Sequence, residues 1–380
     1  MAPLDGLRVL DLTRLLPGGY CTLLLADLGA DVVKIEDTEQ GDYLRWMPPL
    51  DERGSVMFRA LNRNKRSVAL DLKNDAGREA FLRLAQSADV VLESFRPGVL
   101  DRLGVGYQVL HSLNPRVILC SITGYGQDGP YRDRAGHDIN YAAIAGVLAV
   151  TGCSPDSLAI PGVQAGDLGG GALHAAVAIL AALHERERNG TGTRCDVSMT
   201  DGLVAWMAPL LVLQQATGEH IGPHGTVLNG RHPCYRIYRC ADGFLSLGAL
   251  EPRFWKAFVE AIGLPDLESE QFADGEACDS AVAIVERVLT TRSRAEWQRA
   301  FAGRDVCCEP VLQLDEVLQH EQVVARSLQL SDGIAIPFRT GATPSQQRPS
   351  PGFGEHTREV LLETYSAAEV DSLLGSGAAR

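Results

Sequence analysis

The sequence predicts an α/β protein with a large, open, mostly parallel Rossmann-like domain and a smaller mixed α/β domain. Helical spacing fills the stretches between short apolar runs, as at 21–30 and 74–88. At 380 residues the chain is too long for one ordinary core. The apolar runs are typical of buried parallel strands and recur at LRVLDL (7–12), DVVKIE (31–36), SVALDL (67–72), DVVLES (89–94) and RVILCSITG (116–124).

Turn- and loop-forming residues mark the predicted domain boundaries. The Gly-, Pro- and His-rich segment GEHIGPHGTVLNGRHP predicts a linker at 218–233, after a large domain at 1–217. A small α/β domain is expected at 234–325. It opens with a β-hairpin that turns at Asp242–Gly243 and continues with helices near 252–263 and 281–302. Residues 326–380 are expected to form a strap and a helix that return to the large domain.

Composition excludes several classes of protein. Hydrophobic residues make up 45% and charged residues 22% of the chain, which indicates a folded protein rather than a disordered one. The net charge of −13 argues against a nucleic-acid partner. No run of eighteen apolar residues and no basic-then-apolar leader is present, so we expect neither a membrane span nor secretion. Nine scattered cysteines without CxxC spacing predict reduced thiols, no metal site and a cytoplasmic protein.

Two residues are candidates for proton transfer. His137, in RAGHDINY, follows a glycine that allows close approach of a ligand. The alternative is a structural loop histidine beside a helix cap at Asp138. Asp167, in AGDLGGGA, precedes three glycines and a long helix predicted at 172–188. It is either a helix cap or a carboxylate presented to a ligand, and the entropic cost of three glycines favours the ligand.

Weaker candidates lie elsewhere. Glu251 in GALEPRFW stands before a proline at a helix start, where it can simply favour the helix dipole. The basic side chains Lys65, Arg66, Lys73 and Arg96 sit beside predicted strand ends of an acidic chain. They are either solvated surface residues or partners for the phosphates of an anionic ligand.

An ordered set of motifs resembles the family III CoA-transferase (CaiB/BaiF) superfamily, which includes CoA-transferases and α-methylacyl-CoA racemases. The resemblance covers nearly the whole chain, and GHDINY, DLGGG and LEPRF resemble the racemase branch. The motifs that carry it are GLRVLDLTRLLPGGYCTLLLADLGADVVKIE, LNRNKRSVALDLK, ESFRPGVLDRLGVGY, ITGYGQDGPYRDRAGHDINY, AGDLGGGALHAAVAILAALHERERNGTG, YRCADGFLSLGALEPRFW and GEHTREVL.

The resemblance implies roles for the candidates. His137 and Asp167 would be the proton-transfer pair of a 2-methylacyl-CoA racemase, and Glu251 would orient His137, from the partner chain of an interlinked homodimer. A CoA thioester would be the substrate, with no tightly bound cofactor and no membrane partner. Free N–H groups near Gly169 and Gly170 would stabilise the enolate. Leu70 and Tyr141, in the same motifs, complete the expected CoA-binding set with Lys65, Arg66, Lys73 and Arg96.

Three readings stay open on the sequence. In a family III transferase Asp167 would instead be a covalent nucleophile, and a non-catalytic CoA-binding protein would use neither residue chemically. Two departures from the racemase pattern bear on the choice. Glu36–Asp37 stands where racemases often carry an arginine, and the long segment 38–60 is more transferase-like.

Overall fold

The computed structural model describes residues 2–338 and 347–380, and the chain divides into two compact units. The first unit holds residues 1–145, 162–207 and 326–380, and the second holds 146–161 and 208–325. The structure thus groups the predicted linker with the second unit and adds the loop 146–161 to it. The C-terminal residues belong to the first unit.

The first unit is built on a six-stranded, entirely parallel sheet, which confirms the predicted fold class. Its order is β6-β5-β4-β1-β2-β3, the arrangement of a doubly wound sheet. Five strands coincide with predicted apolar runs, and the sixth, at the sheet edge, was not predicted. The strands are β1 (Arg8–Asp11), β2 (Asp31–Glu36), β3 (Arg66–Ala69), β4 (Val90–Glu93), β5 (Ile118–Thr123) and β6 (Arg194–Ser198).

Helices cover both faces of this sheet. One continuous apolar core joins the strands to α3, α4 and α5 and to the C-terminal helices, and it contains Leu10, Val33, Phe81 and Val91. The helices are α1 (Leu15–Asp27), α2 (Val56–Asn62), α3 (Asp75–Ala85), α4 (Val99–Arg102), α5 (Tyr107–Leu113), α6 (Asp138–Ile144), α7 (His174–Asn189) and α8 (Met199–Trp206). A 3-10 turn spans Tyr43–Trp46, and a short strand pair joins Leu50–Asp51 to Gly54–Ser55.

The predicted long helix begins earlier than expected and in a different form. Residues Ala165–Leu173 form a π-helix that runs directly into α7. By length and composition alone, the segment Ala165–Asn189 is apolar enough to span a membrane. Half of its most apolar window is buried inside the protein, however, and the core helix of a soluble protein meets the same criterion.

The second unit has a three-stranded antiparallel sheet and an aromatic core around Trp255, Phe258 and Trp297. Its strands are β7 (Tyr235–Cys240), β8 (Gly243–Gly248) and β9 (Cys308–Pro310), with the hairpin turn at Ala241 and Asp242, one residue before the predicted place. Its helices are α9 (Ala208–Thr217), α10 (Pro252–Ala261), α11 (Gly275–Leu289), α12 (Arg294–Phe301), α13 (Leu314–Val317) and α14 (Glu321–Ala325). Short 3-10 segments span Leu148–Val150 and Pro265–Glu270, and Gly152–Ser154 pairs with Ser157–Leu158.

The C-terminal residues cover the β3 edge of the parallel sheet. Short strands at Gln329–Leu330 and Gly333–Ile334 precede α15 (Thr357–Leu361) and α16 (Ala367–Gly375). The backbone N–H of His356 donates to the Ser67 carbonyl at 2.9 Å, and the N–H of Arg380 donates to the Ala69 carbonyl at 3.2 Å. An edge strand that would otherwise expose unpaired backbone groups is thereby closed. Part of the predicted strap at 334–354 lies outside the described residues.

Candidate active site

The sheet has a topological switch point between β1 and β4, where the strand order reverses. In open α/β sheets of this kind, ligands bind outside the carboxyl ends of the strands at the switch point. Two cavities of the first unit open there. We call them the Asp167 cavity and the Lys73 cavity, after one wall residue of each.

The Asp167 cavity has a volume of about 340 Å³. Loops that follow β1, β4 and β5 form most of its wall, together with the start of the π-helix and of α8. His137 and Asp167, the two predicted proton-transfer residues, both lie in this wall, as do the predicted binding residues Arg96 and Tyr141. Residues that are 30 positions apart in the chain are therefore brought to one site.

Asp167 lies in the first turn of the π-helix and is half-buried. Burial raises the pKa of its carboxyl from 3.8 to about 7, and the negative charge of Asp138 adds to the effect. Asp138 accepts a hydrogen bond from the backbone N–H of Asp167 at 2.9 Å, so the two carboxyl groups are close neighbours. A carboxyl with a pKa near 7 can both accept and deliver a proton near neutral pH.

His137 is exposed and occupies the N-cap position of α6, so it presents its ring to solvent at the cavity wall. Its backbone N–H donates to Asn140 Oδ1 at 3.0 Å. The alternative in which Asp138 caps this helix does not hold, because Asp138 is the first helical residue and its carboxylate accepts the backbone N–H of Asp167.

Tyr141 supports the His137 loop from beneath. Its hydroxyl donates to the Gly136 carbonyl at 2.5 Å, and only 6% of the residue is exposed. A Cβ added at Gly136 would come within 2.7 Å of the Tyr141 ring, and one at Gly124 within 2.4 Å. Both glycines are therefore required for the ring to fit. The Tyr141 hydroxyl can still accept a hydrogen bond, and the expected contact with the ligand stays a prediction.

The glycines after Asp167 serve packing. A Cβ at Gly170 would lie 2.5 Å from the Met199 carbonyl oxygen, and one at Gly169 would overlap the Trp206 ring. Gly202 on α8 is equally restricted by the backbone of Gly170. These small residues let α8 approach the π-helix closely. Gly169 and Gly170 are buried and lie outside the Asp167 cavity wall, so the structure does not bring them to the position predicted for enolate donors.

Four arginines give the wall of the Asp167 cavity a positive character within an acidic protein: Arg14, Arg96, Arg132 and Arg134. The side chain of Arg96 is exposed and makes no hydrogen bond or ion pair within residues 2–338 and 347–380. Arg134 stacks on the Tyr131 ring at 3.7 Å. This wall suits an anionic ligand or a developing negative charge.

The Lys73 cavity has a volume of about 480 Å³ and lies beyond the ends of β1, β2 and β3. Leu70 and Lys73, two of the predicted CoA-binding residues, lie in its wall. Arg14 and Phe95 belong to the walls of both cavities, so the two cavities adjoin at these side chains. A long ligand could therefore occupy both.

The structure does not bring Lys65 or Arg66 to either cavity wall. Lys65 is 2% exposed, and its ammonium donates to Asn62 Oδ1 at 2.8 Å and to the Gly19 carbonyl at 3.1 Å. Arg66 pairs with Asp31 at 2.6 Å and with Glu363 at 2.7 Å, which ties the sheet edge to the C-terminal segment. The structure therefore does not support the phosphate contacts expected for Lys65 and Arg66, because both charges are already neutralised by acidic side chains of the fold.

Glu251 belongs to the second unit, where it is exposed and forms the N-cap of α10. Its side chain makes no capping hydrogen bond, although its backbone carbonyl accepts from the N–H of Phe254 at 2.9 Å. The carboxylate is thus left available. Its predicted role toward His137 stays a prediction.

Two residues of the site were missed from the sequence. Arg14 lies three residues after the end of β1, at the switch point, and its position in the TRLLPGG segment was the available signal. Asp138 was considered only as a helix cap, although its place beside His137 put it at the site. Among residues 2–338 and 347–380, no cluster of three or more His, Cys, Asp or Glu side chains could hold a metal ion.

The first unit is a doubly wound α/β sheet whose switch point brings His137, Asp167 and four arginines to one cavity, an arrangement typical of enzymes that act on anionic small molecules. Comparison with known proteins identifies the family. The model of CoA-transferase family III matches residues 4–357, and this chain belongs to that family.

Its relatives include enzymes of two kinds. The chain is 37% identical over 371 residues to the α-methylacyl-CoA racemase of Mus musculus, covering 95% of this chain and 93% of the racemase. It is 32% identical over 400 residues to the succinyl-CoA:glutarate CoA-transferase of Mus musculus, covering 99% of this chain and 90% of the transferase. The crystal structure of a CaiB/BaiF family protein from Brucella suis superimposes with a TM-score of 0.84 at 31% identity, covering 96% of this chain and 100% of that one.

Proposed function

We propose that this family III enzyme racemises 2-methylacyl-CoA thioesters. The observation that carries the proposal is that His137 and Asp167 share one cavity wall and that the pKa of Asp167 is raised to about 7. Inversion at a carbon atom requires a base on one face and an acid on the other. The similarity to the mouse racemase supports the same reaction.

The chemistry follows from the thioester. The α-carbon of a 2-methylacyl-CoA carries one exchangeable C–H bond next to the thioester carbonyl. Neutral His137 removes this proton, the C–H electron pair forms an enolate, and protonated Asp167 returns a proton to the opposite face. In the reverse direction the two residues exchange roles, which requires Asp167 to be stable in both protonation states near neutral pH. Arg96, Arg132 and Arg134 of the same wall stabilise the enolate charge.

The alternative is a CoA-transferase that uses Asp167 as a covalent nucleophile. The similarity to succinyl-CoA:glutarate CoA-transferase favours it. A nucleophilic carboxylate must be ionised, however, and a pKa raised to about 7 reduces its ionised fraction. The presence of His137 in the same wall, for which the covalent mechanism has no role, favours proton transfer over acyl transfer.

The test is incubation of the purified enzyme with one enantiomer of a 2-methylacyl-CoA in deuterated water. A racemase incorporates deuterium at the α-carbon and forms the other enantiomer without a second acid. A transferase does neither, and it forms a covalent anhydride on Asp167 that hydroxylamine traps only in the presence of acyl-CoA. Trapping at Asp167 without deuterium incorporation would replace this proposal with the transferase. His184→Ala, at an exposed histidine on α7, is the matched control for His137 variants.

A further inference from the structure

Arg14 occupies the junction between the two cavities. It follows β1 at the N-cap position of α1, and it lies in the wall of the Asp167 cavity and of the Lys73 cavity. Any ligand that extends from one cavity to the other passes its guanidinium. The sequence analysis assigned no role to Arg14, and the proposed two-base chemistry does not use it.

The guanidinium of Arg14 is held in one place by three side chains. Its Nη2 donates to Asp37 Oδ2 at 2.7 Å and its Nη1 donates to the Tyr43 hydroxyl at 2.9 Å. It also lies over the Tyr43 ring, with 4.9 Å to the ring centroid, and 6.0 Å from the centroid of Phe95. Cation–π attraction at these distances adds to the hydrogen bonds that hold the guanidinium.

The two carboxylate oxygens of Asp37 make different interactions. Oδ1 accepts the backbone N–H groups of Glu39, Gln40 and Gly41 at 3.0, 2.8 and 3.2 Å, and so shapes the turn after β2. Only Oδ2 pairs with Arg14. An asparagine at this position keeps the turn-forming acceptor and removes the charge that faces Arg14.

The surroundings of the pair are acidic. The wall of the Lys73 cavity carries Asp37, Glu39 and Asp71, while Glu36 in the same wall is paired with Arg45 at 2.7 Å. The basic side chains of the same wall are Arg14 and Lys73. As long as Asp37 neutralises Arg14, this wall repels a phosphate group. A phosphate that displaces the Asp37 carboxylate from Arg14 gains a charged donor at the junction.

We infer that Arg14 binds a phosphate of the CoA moiety and that Asp37 is its internal counter-ion, which competes with that phosphate. The inference rests on the proposed function in that a CoA thioester spans both cavities. Arg14 exchanges one anionic partner for another without a change in its stacking. Asp37 thereby weakens the binding of CoA thioesters and favours their release.

The test measures the dissociation constants of CoA and of an acyl-pantetheine thioester, which lacks the nucleotide phosphates. Arg14→Gln is expected to weaken CoA binding about tenfold or more and to leave pantetheine binding unchanged. Asp37→Asn is expected to strengthen CoA binding about fivefold at low salt, with the gain fading at high salt. In the Arg14→Gln background, Asp37→Asn should have little further effect. Arg358→Gln, in an exposed ion pair with Asp371 at 2.6 Å, is the matched control.

Three results would overturn the inference. Equal weakening of CoA and pantetheine binding by Arg14→Gln would show that Arg14 does not contact a phosphate. Weaker CoA binding in Asp37→Asn would show that Asp37 only positions Arg14. Full independence of the two substitutions would show that the ion pair is irrelevant to CoA. Should Arg14→Gln fail to fold, Arg14→Lys supplies the same comparison, with a smaller loss expected. Because these are binding measurements, failure of α-proton exchange would reject the racemase proposal alone.

Discussion

The carboxylate of Asp138 accepts the backbone N–H of Asp167 at 2.9 Å, which places a second carboxyl group beside the principal acid–base candidate. The bond fixes the first turn of the π-helix on α6. The neighbouring charge, added to burial, disfavours ionisation of Asp167. Asp138, the sequence neighbour of His137, thus helps to raise the pKa of Asp167.

Asp138→Asn should lower the pKa of Asp167, because it removes the nearby charge and keeps an oxygen that can accept the N–H. For the enantiomer on which Asp167 acts as base, the rising limb of the kcat/KM–pH profile for exchange should move to lower pH. For the other enantiomer, the falling limb should move in the same direction. The exposed Asp266→Asn is the control. A loss of rate at every pH without movement of either limb would assign Asp138 a purely structural role.

Asp167→Asn should stabilise the protein at pH 8. The pKa of Asp167 is about 7 in the folded state and ordinarily 3.8, so the native protein binds more protons between these values. The contribution of Asp167 to the free energy of unfolding therefore falls as the pH rises from about 4 to 7. Urea denaturation at pH 8 should give a higher midpoint for the variant than for the wild type. At pH 4 the difference should largely vanish, and a constant difference across this range would contradict the raised pKa.

Gly170→Ala should destabilise the fold by about 1–3 kcal/mol, because the new Cβ would clash with backbone atoms, which cannot move away as a flexible side chain could. The atom in its way is the Met199 carbonyl oxygen, 2.5 Å from the ideal Cβ position. Gly162→Ala is the control, since a Cβ there meets nothing within 4 Å. Equal stability of the two variants in chemical denaturation would show that the π-helix and α8 do not require this close approach.

Lys65→Ala should cost about 3 kcal/mol or more of stability, as expected when one partner of a buried ion pair is removed. Lys65 lies 3.4 Å from Asp11, and both side chains are fully buried. Lys256→Ala, in an exposed pair with Glu268 at 3.3 Å, should change stability by about 1 kcal/mol at most. A different result would contradict this account: Lys65→Ala is as stable as the wild type, and it weakens the binding of CoA but not of pantetheine thioesters. Lys65 would then be a ligand of the CoA phosphates, as the sequence predicted.

The sequence predicted those parts of the fold that depend on continuous burial. Parallel strands covered on both faces read as apolar runs, so β1 to β5 could be located. β6, with the sequence RCDVS, is partly exposed at the sheet edge and carries no such run. The single helix expected at 281–302 is two helices, because Ser293 caps α12 and forms a reciprocal capping pair with Glu296.

The candidate site was predictable where residue type and motif order coincide, as for His137 and Asp167. Charge alone did not distinguish buried from exposed cations, which is why Lys65 and Arg66 were expected at the phosphates. Their partners, Asp11 for Lys65 and Asp31 and Glu363 for Arg66, are far away in the chain and meet them only in three dimensions. The glycines after Asp167 were likewise interpreted as ligand-facing, because the helix that they contact follows later in the sequence.

The most direct test of the two-base account measures α-proton exchange and racemisation of both enantiomers of one 2-methylacyl-CoA by His137→Ala and Asp167→Ala. Each substitution should slow interconversion by about 10²–10⁴-fold, the usual cost of removing one general acid or base. His137→Ala should retain exchange for one enantiomer and Asp167→Ala for the other, because the remaining residue can still remove and return a proton on its own face. Racemisation by His137→Ala at the wild-type rate would contradict the account and leave the transferase, which requires only Asp167.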